Sequence, residues 1–239
     1  MSGTLRGPVL LVVARVPTPG LAKTRLAASV GDQAAAELAA TALLDTLTVV
    51  AEAAAESGSP SVVALTGDLG SSARRDEVED ALREHRVIGQ RGDGLGDPLG
   101  ERLANAHEDA AVITDTEAVV QVGMDTPQLS VVLLEAAVAA LNGADAALGP
   151  ATDGGWWCLA VRRAALARCL PDVAMSRPET GQATYAALRR TGARTVTWLP
   201  ELRDVDTLAD ALEVARAAPG SRFAAAVAAS TSLTVEAGS

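Results

Sequence analysis

From residue 9 to residue 14 every position is apolar, with none of the alternation of a half-exposed strand. Such a run reads as a parallel strand covered on both faces. Further strand-length runs lie at 61–65, 86–90, 118–122, 144–148, 156–161 and 194–199. The segments between them carry helical spacing. The longest runs from 32 to about 57, with Leu38, Leu43, Leu44 and Leu47 on one period, Asp32 as its cap and Gly58-Ser59-Pro60 as its stop. Shorter helices are predicted over 73–84, 98–111, 129–141, 163–170, 181–191 and from 204–207 to about 218. Strands and helices alternate, so the chain is expected to be an α/β protein, a three-layer α/β/α sandwich on a mostly parallel mixed sheet. One domain accounts for residues 1–218. The Ala/Ser/Gly-rich tail 219–239 is left as either a poorly ordered end or a helix packed on a partner.

Composition narrows the function classes. The 239 residues are 49% hydrophobic but only 2% aromatic, so the core must be Val, Leu and Ala. A net charge of −10 argues against a nucleic-acid polymer or an anionic membrane as partner. A small phosphorylated ligand remains open, because a local cationic loop can act within an acidic protein. Residues 1–7 are short and polar, and no run reaches the roughly 20 apolar residues of a membrane helix, so the expected location is cytoplasmic. Cys158 and Cys169 lack metal-ligand spacing and read as reduced thiols. His85 and His107 read as ordinary helix-face residues.

The turn-rich stretches 15–25, 91–97, 123–127 and 149–155 each follow a predicted strand and should converge on one sheet edge, where such folds bind ligands. The first, Arg15-Val-Pro-Thr-Pro-Gly-Leu-Ala-Lys-Thr-Arg25, holds Lys23, the only lysine among 20 basic residues. It is not a Walker A loop, since Ala22 precedes Lys23, and Gly92-Asp-Gly94-Leu-Gly96 has the wrong spacing for a dinucleotide fingerprint. It offers Gly20 for close backbone approach and Lys23 and Arg25 as charge for phosphates. Asp125, held by Pro127 at a strand end, suits Mg²⁺, which takes one or two carboxylates plus phosphate oxygens. Asp204 and Asp206 are further ligand candidates, although Asp206 also reads as a helix cap. In Asp153-Gly154-Gly155-Trp156-Trp157 the glycine pair suggests close approach beside an aromatic wall for an acceptor; the alternative is two core tryptophans. Strand alternation sends them to opposite faces, so at most one lines a pocket.

These residues together resemble the nucleotide-diphospho-sugar transferase superfamily, with the GT-A, Rossmann-like fold. More narrowly they resemble the bacterial family DUF2064, related to the radical-SAM/selenodomain-associated transferases. The likeness spans about 9–215 and rests on Pro17-Thr-Pro-Gly-Leu-Ala-Lys-Thr-Arg-Leu26, Leu99-Gly-Glu-Arg-Leu103, Gly123-Met-Asp-Thr-Pro127, Gly149-Pro-Ala-Thr-Asp-Gly-Gly155 and Asp204-Val-Asp-Thr207. Phospholactate guanylyltransferases are similar at 22–26 and 204–207, but carry Gly-Asp-x-Pro where this chain has Gly-x-Asp-x-Pro. The resemblance implies a nucleotide site formed by Arg15, Gly20, Lys23, Thr24, Arg25, Gln90, Gly94, Gly100 and Arg102. It implies Mg²⁺ (or Mn²⁺) on Asp125 with Asp206 and Asp204. The segment 92–100 is expanded relative to the family pattern.

The leading expectation is a Mg²⁺-dependent nucleotidyltransferase that joins an NMP from an NTP to a small phosphorylated or anionic acceptor, releasing pyrophosphate. Lys23, Arg25 and Asp125 would be catalytic, and Asp153, Gly154, Gly155 and Trp156 would receive the acceptor. A glycosyltransferase using a nucleotide-diphospho-sugar is the alternative, and a non-catalytic nucleotide-binding protein the second. Whether the chain forms a homodimer stays open.

Overall fold

The computed structural model describes residues 7–92 and 99–236. Its centre is a seven-stranded sheet: β1 (Val9–Arg15), β2 (Ser61–Thr66), β3 (Arg86–Gly89), β4 (Val119–Gly123), β5 (Ala146–Pro150), β6 (Trp156–Val161) and β7 (Val196–Trp198). The spatial order is β3-β2-β1-β4-β6-β5-β7. All neighbours are parallel except β6, which runs antiparallel to β4 and β5. The mixed α/β sandwich expected from the sequence is thus observed. The chain steps outward from β1 to β2 and β3, then returns to pair β4 on the other flank of β1. The carboxyl ends of β1 and β4 therefore form the switch point where open α/β sheets bind ligands.

The helices are α1 (Thr24–Val30), α2 (Asp32–Ser57), α3 (Arg75–Leu82), α4 (Leu99–Thr114), α5 (Val131–Ala140), α6 (Thr180–Arg190), α7 (Leu208–Ala217) and α8 (Arg222–Glu236). Strand alternation divides the core. Leu10, Val12 and Ala14 of β1 face the layer of α2, α3 and α5, while Val9 and Leu11 face the layer of α4 and α6. The short helix expected over 163–170 is a 3-10 helix spanning Ala164–Asp172. Gly100 lies where a Cβ would meet the Leu170 carbonyl oxygen at 2.1 Å, so its missing side chain lets α4 pack on that segment.

Helix α2 is long and apolar enough, by length and composition, to cross a membrane, contrary to the expectation that no run would be. It is a core helix. Ala39, Leu43 and Leu47 pack toward the sheet, while Leu38 and Ala42 join a third cluster with α7 and α8. A helix apolar all round is buried all round. It is not capped by Asp32; Gly31 occupies that position, with Asp32 in the first turn.

The tail contributes α8, packed on its own chain. Phe223, 1% exposed, and Val227 fill the third cluster. The buried Asp45 carboxylate of α2 accepts the backbone amides of Arg222 and Phe223, at 3.1 and 2.9 Å, and so closes the amino end of α8. The two histidines also depart from expectation. His107 is fully buried on the sheet side of α4, its Nε2 2.8 Å from the Gln121 amide oxygen of β4. His85 is partly buried, its Nδ1 3.0 Å from the Ser61 hydroxyl.

Candidate functional site

The loop after β1 is built on its own backbone. The amides of Leu21 and Ala22 both donate to the Thr18 carbonyl, at 3.1 and 2.9 Å. Gly20 takes φ +78°, a conformation that costs glycine little. The Ala73 amide donates to the Pro17 carbonyl at 2.8 Å, fastening the loop to the segment after β2. The chain then enters α1 through Lys23, which is left-handed at φ 48° and ψ 52° with no side-chain cap. A non-glycine residue held there costs about 1–3 kcal/mol and persists only where surroundings enforce it.

The side chain is anchored as well. Lys23 Nζ lies 2.8 Å from Asp125 Oδ1 and 3.4 Å from Asp206 Oδ1, with the lysine side chain 10% exposed. Asp125 follows the end of β4. Met124, beside it, accepts the Arg15 amide on its sulfur at 3.3 Å, linking the ends of β1 and β4. Asp206 arrives from the distant 199–207 segment because the Val205 amide donates to the Asp125 carbonyl at 3.0 Å. Arg25 Nη1 reaches Asp206 Oδ2 at 3.4 Å. The cap of α7 is Thr207, in a reciprocal box with Asp210. Asp206 is therefore not the cap, and its carboxylate is left to the site.

The electrostatics are those of an acidic cluster sharing one ammonium. Burial pulls the Lys23 ammonium downward, but Asp125, and then Asp206 and Asp204, more than offset it and hold the group above its ordinary value. Burial, then Asp125, pushes Asp204 up to about 8, with Asp153 and Asp206 adding and Lys23 opposing. Asp204 Oδ1 is buried with no hydrogen-bond partner. Four carboxylates, Asp125, Asp153, Asp204 and Asp206, thus stand among the basic side chains of Arg15, Lys23, Arg25 and Arg177. Among the described residues no three His, Cys, Asp or Glu side chains form a ready-made metal cage. A Mg²⁺ ion held by two carboxylates and a ligand's phosphates needs no cage. The orphaned Asp204 oxygen fits a divalent cation close by, with Asp125 and Asp206 as the pair able to hold it.

Two cavities, of about 530 and 410 Å³, open on this cluster. They share a wall of Arg15, Asp125, Asp153, Arg177 and Asp206. The first extends along the β1 loop past Lys23, Thr24 and Arg25; the second extends toward Gln90, Arg102, Gly155 and Trp156. Most sequence-expected residues are therefore brought together. Gln90 arrives constrained: its amide nitrogen donates to the carbonyls of Ala14 and Ala64, at 2.8 and 3.0 Å, which leaves its oxygen as the group able to face a ligand.

Several expected roles move. Gly20 and Gly100 line neither cavity; they serve the loop turn and the packing of α4. Gly94 lies outside the described residues. Gly154, at φ +89°, makes its close approach to protein: a Cβ there would meet the Pro178 carbonyl oxygen at 2.0 Å. The glycine pair thus seats the 175–181 segment, and the Gly181 amide donates to the Gly154 carbonyl at 2.8 Å. Asp153 is partly committed, its Oδ1 accepting the Gly155 amide at 2.8 Å. Trp157 is 2% exposed and donates to the Pro200 carbonyl, while the half-buried Trp156 donates to Thr184; both border the second cavity, where the sequence led to the expectation of one at most. The sequence reading missed Arg177 and Ser176, in a stretch read as plain loop. The one local signal is an arginine preceding Pro178, and it does not point to a site.

A family model described as an uncharacterized protein conserved in bacteria (DUF2064) matches residues 48–177, more than half of the chain. The chain belongs to DUF2064. None of the curated proteins matches it in sequence. Among solved structures, a candidate nucleotide-diphospho-sugar transferase from Desulfovibrio desulfuricans is 26% identical, covers 97% of this DUF2064 chain and 98% of its own, and superposes with a TM-score of 0.79. A 4-diphosphocytidyl-2C-methyl-D-erythritol synthase from Anaerococcus prevotii is 10% identical over 87% of this chain and 96% of its own, with a TM-score of 0.56. A nucleotidyl transferase from Methanothermobacter thermautotroptrophicus is 18% identical over 89% and 96%, with a TM-score of 0.52. At such identities the last two speak to the fold alone, and that fold is the GT-A-like one of nucleotide-dependent transferases.

Proposed function

We propose that this protein is a divalent-cation-dependent nucleotidyltransferase. The observation that carries the reading is the Lys23–Asp125–Asp206 cluster at the junction of two cavities, on the carboxyl ends of β1 and β4. Two adjoining cavities suit two substrates whose reacting atoms meet between them. The donor is an NTP and the acceptor a small molecule with an anionic oxygen. That oxygen attacks the α-phosphorus, the bond from the α-phosphorus to the bridging oxygen breaks, and pyrophosphate leaves with the electron pair. No proton has to move, which agrees with the absence of a histidine from the linings of both cavities among the described residues.

Lys23 has three N–H donors; two are engaged by Asp125 and Asp206, and the third can stabilise charge on the transferred group. Arg25, exposed beside Asp206, meets charge on the departing pyrophosphate. Asp125 and Asp206 would hold Mg²⁺ or Mn²⁺, which supplies charge neutralisation and alignment of the phosphates. The reading is tested by product analysis. Mg²⁺-dependent release of pyrophosphate from an NTP with a phosphorylated acceptor supports it.

A second reading, glycosyl transfer, is favoured by the name of the 26% identical Desulfovibrio structure. It requires release of a nucleoside diphosphate from a nucleotide-sugar, and that product in place of pyrophosphate would decide for it.

A further inference from the structure

Four basic side chains line the first cavity: Arg15, Lys23, Arg25 and Arg177. Two of them are committed, Lys23 to Asp125 and Asp206, and Arg25 to Asp206. Arg15 and Arg177 take part in hydrogen bonds through their backbones, their amides donating to Met124 and Thr180. Their guanidinium groups have no ion-pair or hydrogen-bond partner among the described residues. Both stand on the wall common to the two cavities.

The segment bearing Arg177 is held firmly while its side chain is exposed. The Arg177 amide donates to Thr180 Oγ1 at 3.0 Å, and that hydroxyl donates to the Ala174 carbonyl at 2.9 Å. Ser176 is left-handed at φ 57°, and Pro178 rests on Gly154. Arg177 is thus a fixed base with a free fork. It stands on the β5–β6 side of the junction with Asp153, Met175 and Trp156, whereas Gln90 and Thr66 mark the β2–β3 side.

The inference rests on the nucleotidyltransferase reading above, with the nucleoside on the Gln90 side and transfer at Asp125. We propose that Arg177, with Arg15 on the same shared wall, binds the acceptor's oxyanion, so that the acceptor is a small phosphomonoester or phosphonate. A planar guanidinium grips two oxygens of such a group, and two guanidinium groups can hold it while leaving one oxygen to attack. Trp156 and Met175 supply an apolar flank for a short carbon skeleton.

The test is calorimetric titration of the full chain in Mg²⁺ with phosphoglycolate as acceptor probe, and with whichever NTP gives the largest thermal shift. Loss of a charge-assisted bidentate contact should weaken phosphoglycolate binding about tenfold or more in Arg177→Ala, and Arg177→Lys should recover part of it. NTP affinity should change less than about threefold in the same variant, because the contact belongs to the other ligand. Arg216→Ala, an exposed arginine remote from both cavities, controls for lost surface charge. Equal weakening of both ligands, an unchanged phosphoglycolate titration, or no phosphoglycolate binding by the wild-type protein overturns the assignment. If phosphoglycolate binding depends on Arg177 but no NTP binds, the nucleotidyltransferase reading fails and the anion site stands.

Discussion

Lys23 makes two separable contributions: it holds a strained backbone and it joins two carboxylates. Replacing it with alanine or with glycine removes the ammonium in both cases, but only alanine retains the left-handed penalty. Lys23→Gly should therefore be more stable than Lys23→Ala by about 1 kcal/mol, read as a shift in urea midpoint at unchanged slope. Both should lose turnover, and a Lys23→Ala enzyme with full activity would sink the proposed mechanism. His107 carries a different signature. Burial lowers its pKa to about 4, with Gln121 opposing. The unfolded chain, near 6.5, binds the proton more readily. The stability this histidine contributes is complete above about pH 6.5 and declines as pH falls toward 4, by about 1.4 kcal/mol per unit within that window. Chemical denaturation at pH 7.5 and 5.0 should show a steeper loss in wild type than in His107→Gln; parallel losses would contradict the burial argument.

Among the elements, α8 is fastened at its amino end by one carboxylate, that of Asp45. Asp45→Ala leaves the Arg222 and Phe223 amides without their acceptor and should cost about 1–3 kcal/mol. Phe223→Ala, which empties part of the third cluster, should cost about 3–5 kcal/mol. Thermal denaturation checks both, and a null result for Phe223→Ala would mean that α8 does not pack as described. The strands β1, β5 and β6 were legible from their apolar runs because burial on both faces favours apolar side chains at successive positions. Helix α1 was not, because Lys23 at its start has no capping chemistry and its seven residues are too few to show a period. The role of Gly154 was also hidden: sequence shows that a close approach is needed but not that Pro178 makes it. Arg177 joins the site through tertiary packing, which no local pattern encodes.

Across the whole molecule, the loops after β1, β4, β5 and β7 meet at one sheet edge, and the order of the motifs along the chain was enough to foresee most of that meeting. Asp125, Asp204 and Asp206 could be named from the motifs that hold them, whereas the ammonium shared between Asp125 and Asp206 could not. A second consequence of scale is the field. The chain carries −10, and the proposed anionic ligand must approach through that field to reach the basic side chains of the site. Raising ionic strength from about 10 mM to about 150 mM shortens the Debye length from roughly 30 to 8 Å. Stopped-flow association of a fluorescent NTP should accelerate over that range at constant Mg²⁺; slowing would mean that the local cations outweigh the net charge.

The lysine census has a practical outcome. The protein offers amine-reactive reagents just two targets, its amino terminus and Lys23. The second is screened by burial and by a 2.8 Å ion pair with Asp125. A reagent such as acetic anhydride should label the terminus first, and Lys23 only as fast as its carboxylate partners release it. The extent of labelling at that one nitrogen, read by mass spectrometry on the intact chain, becomes a gauge of whether the junction is closed or open, with no engineered probe.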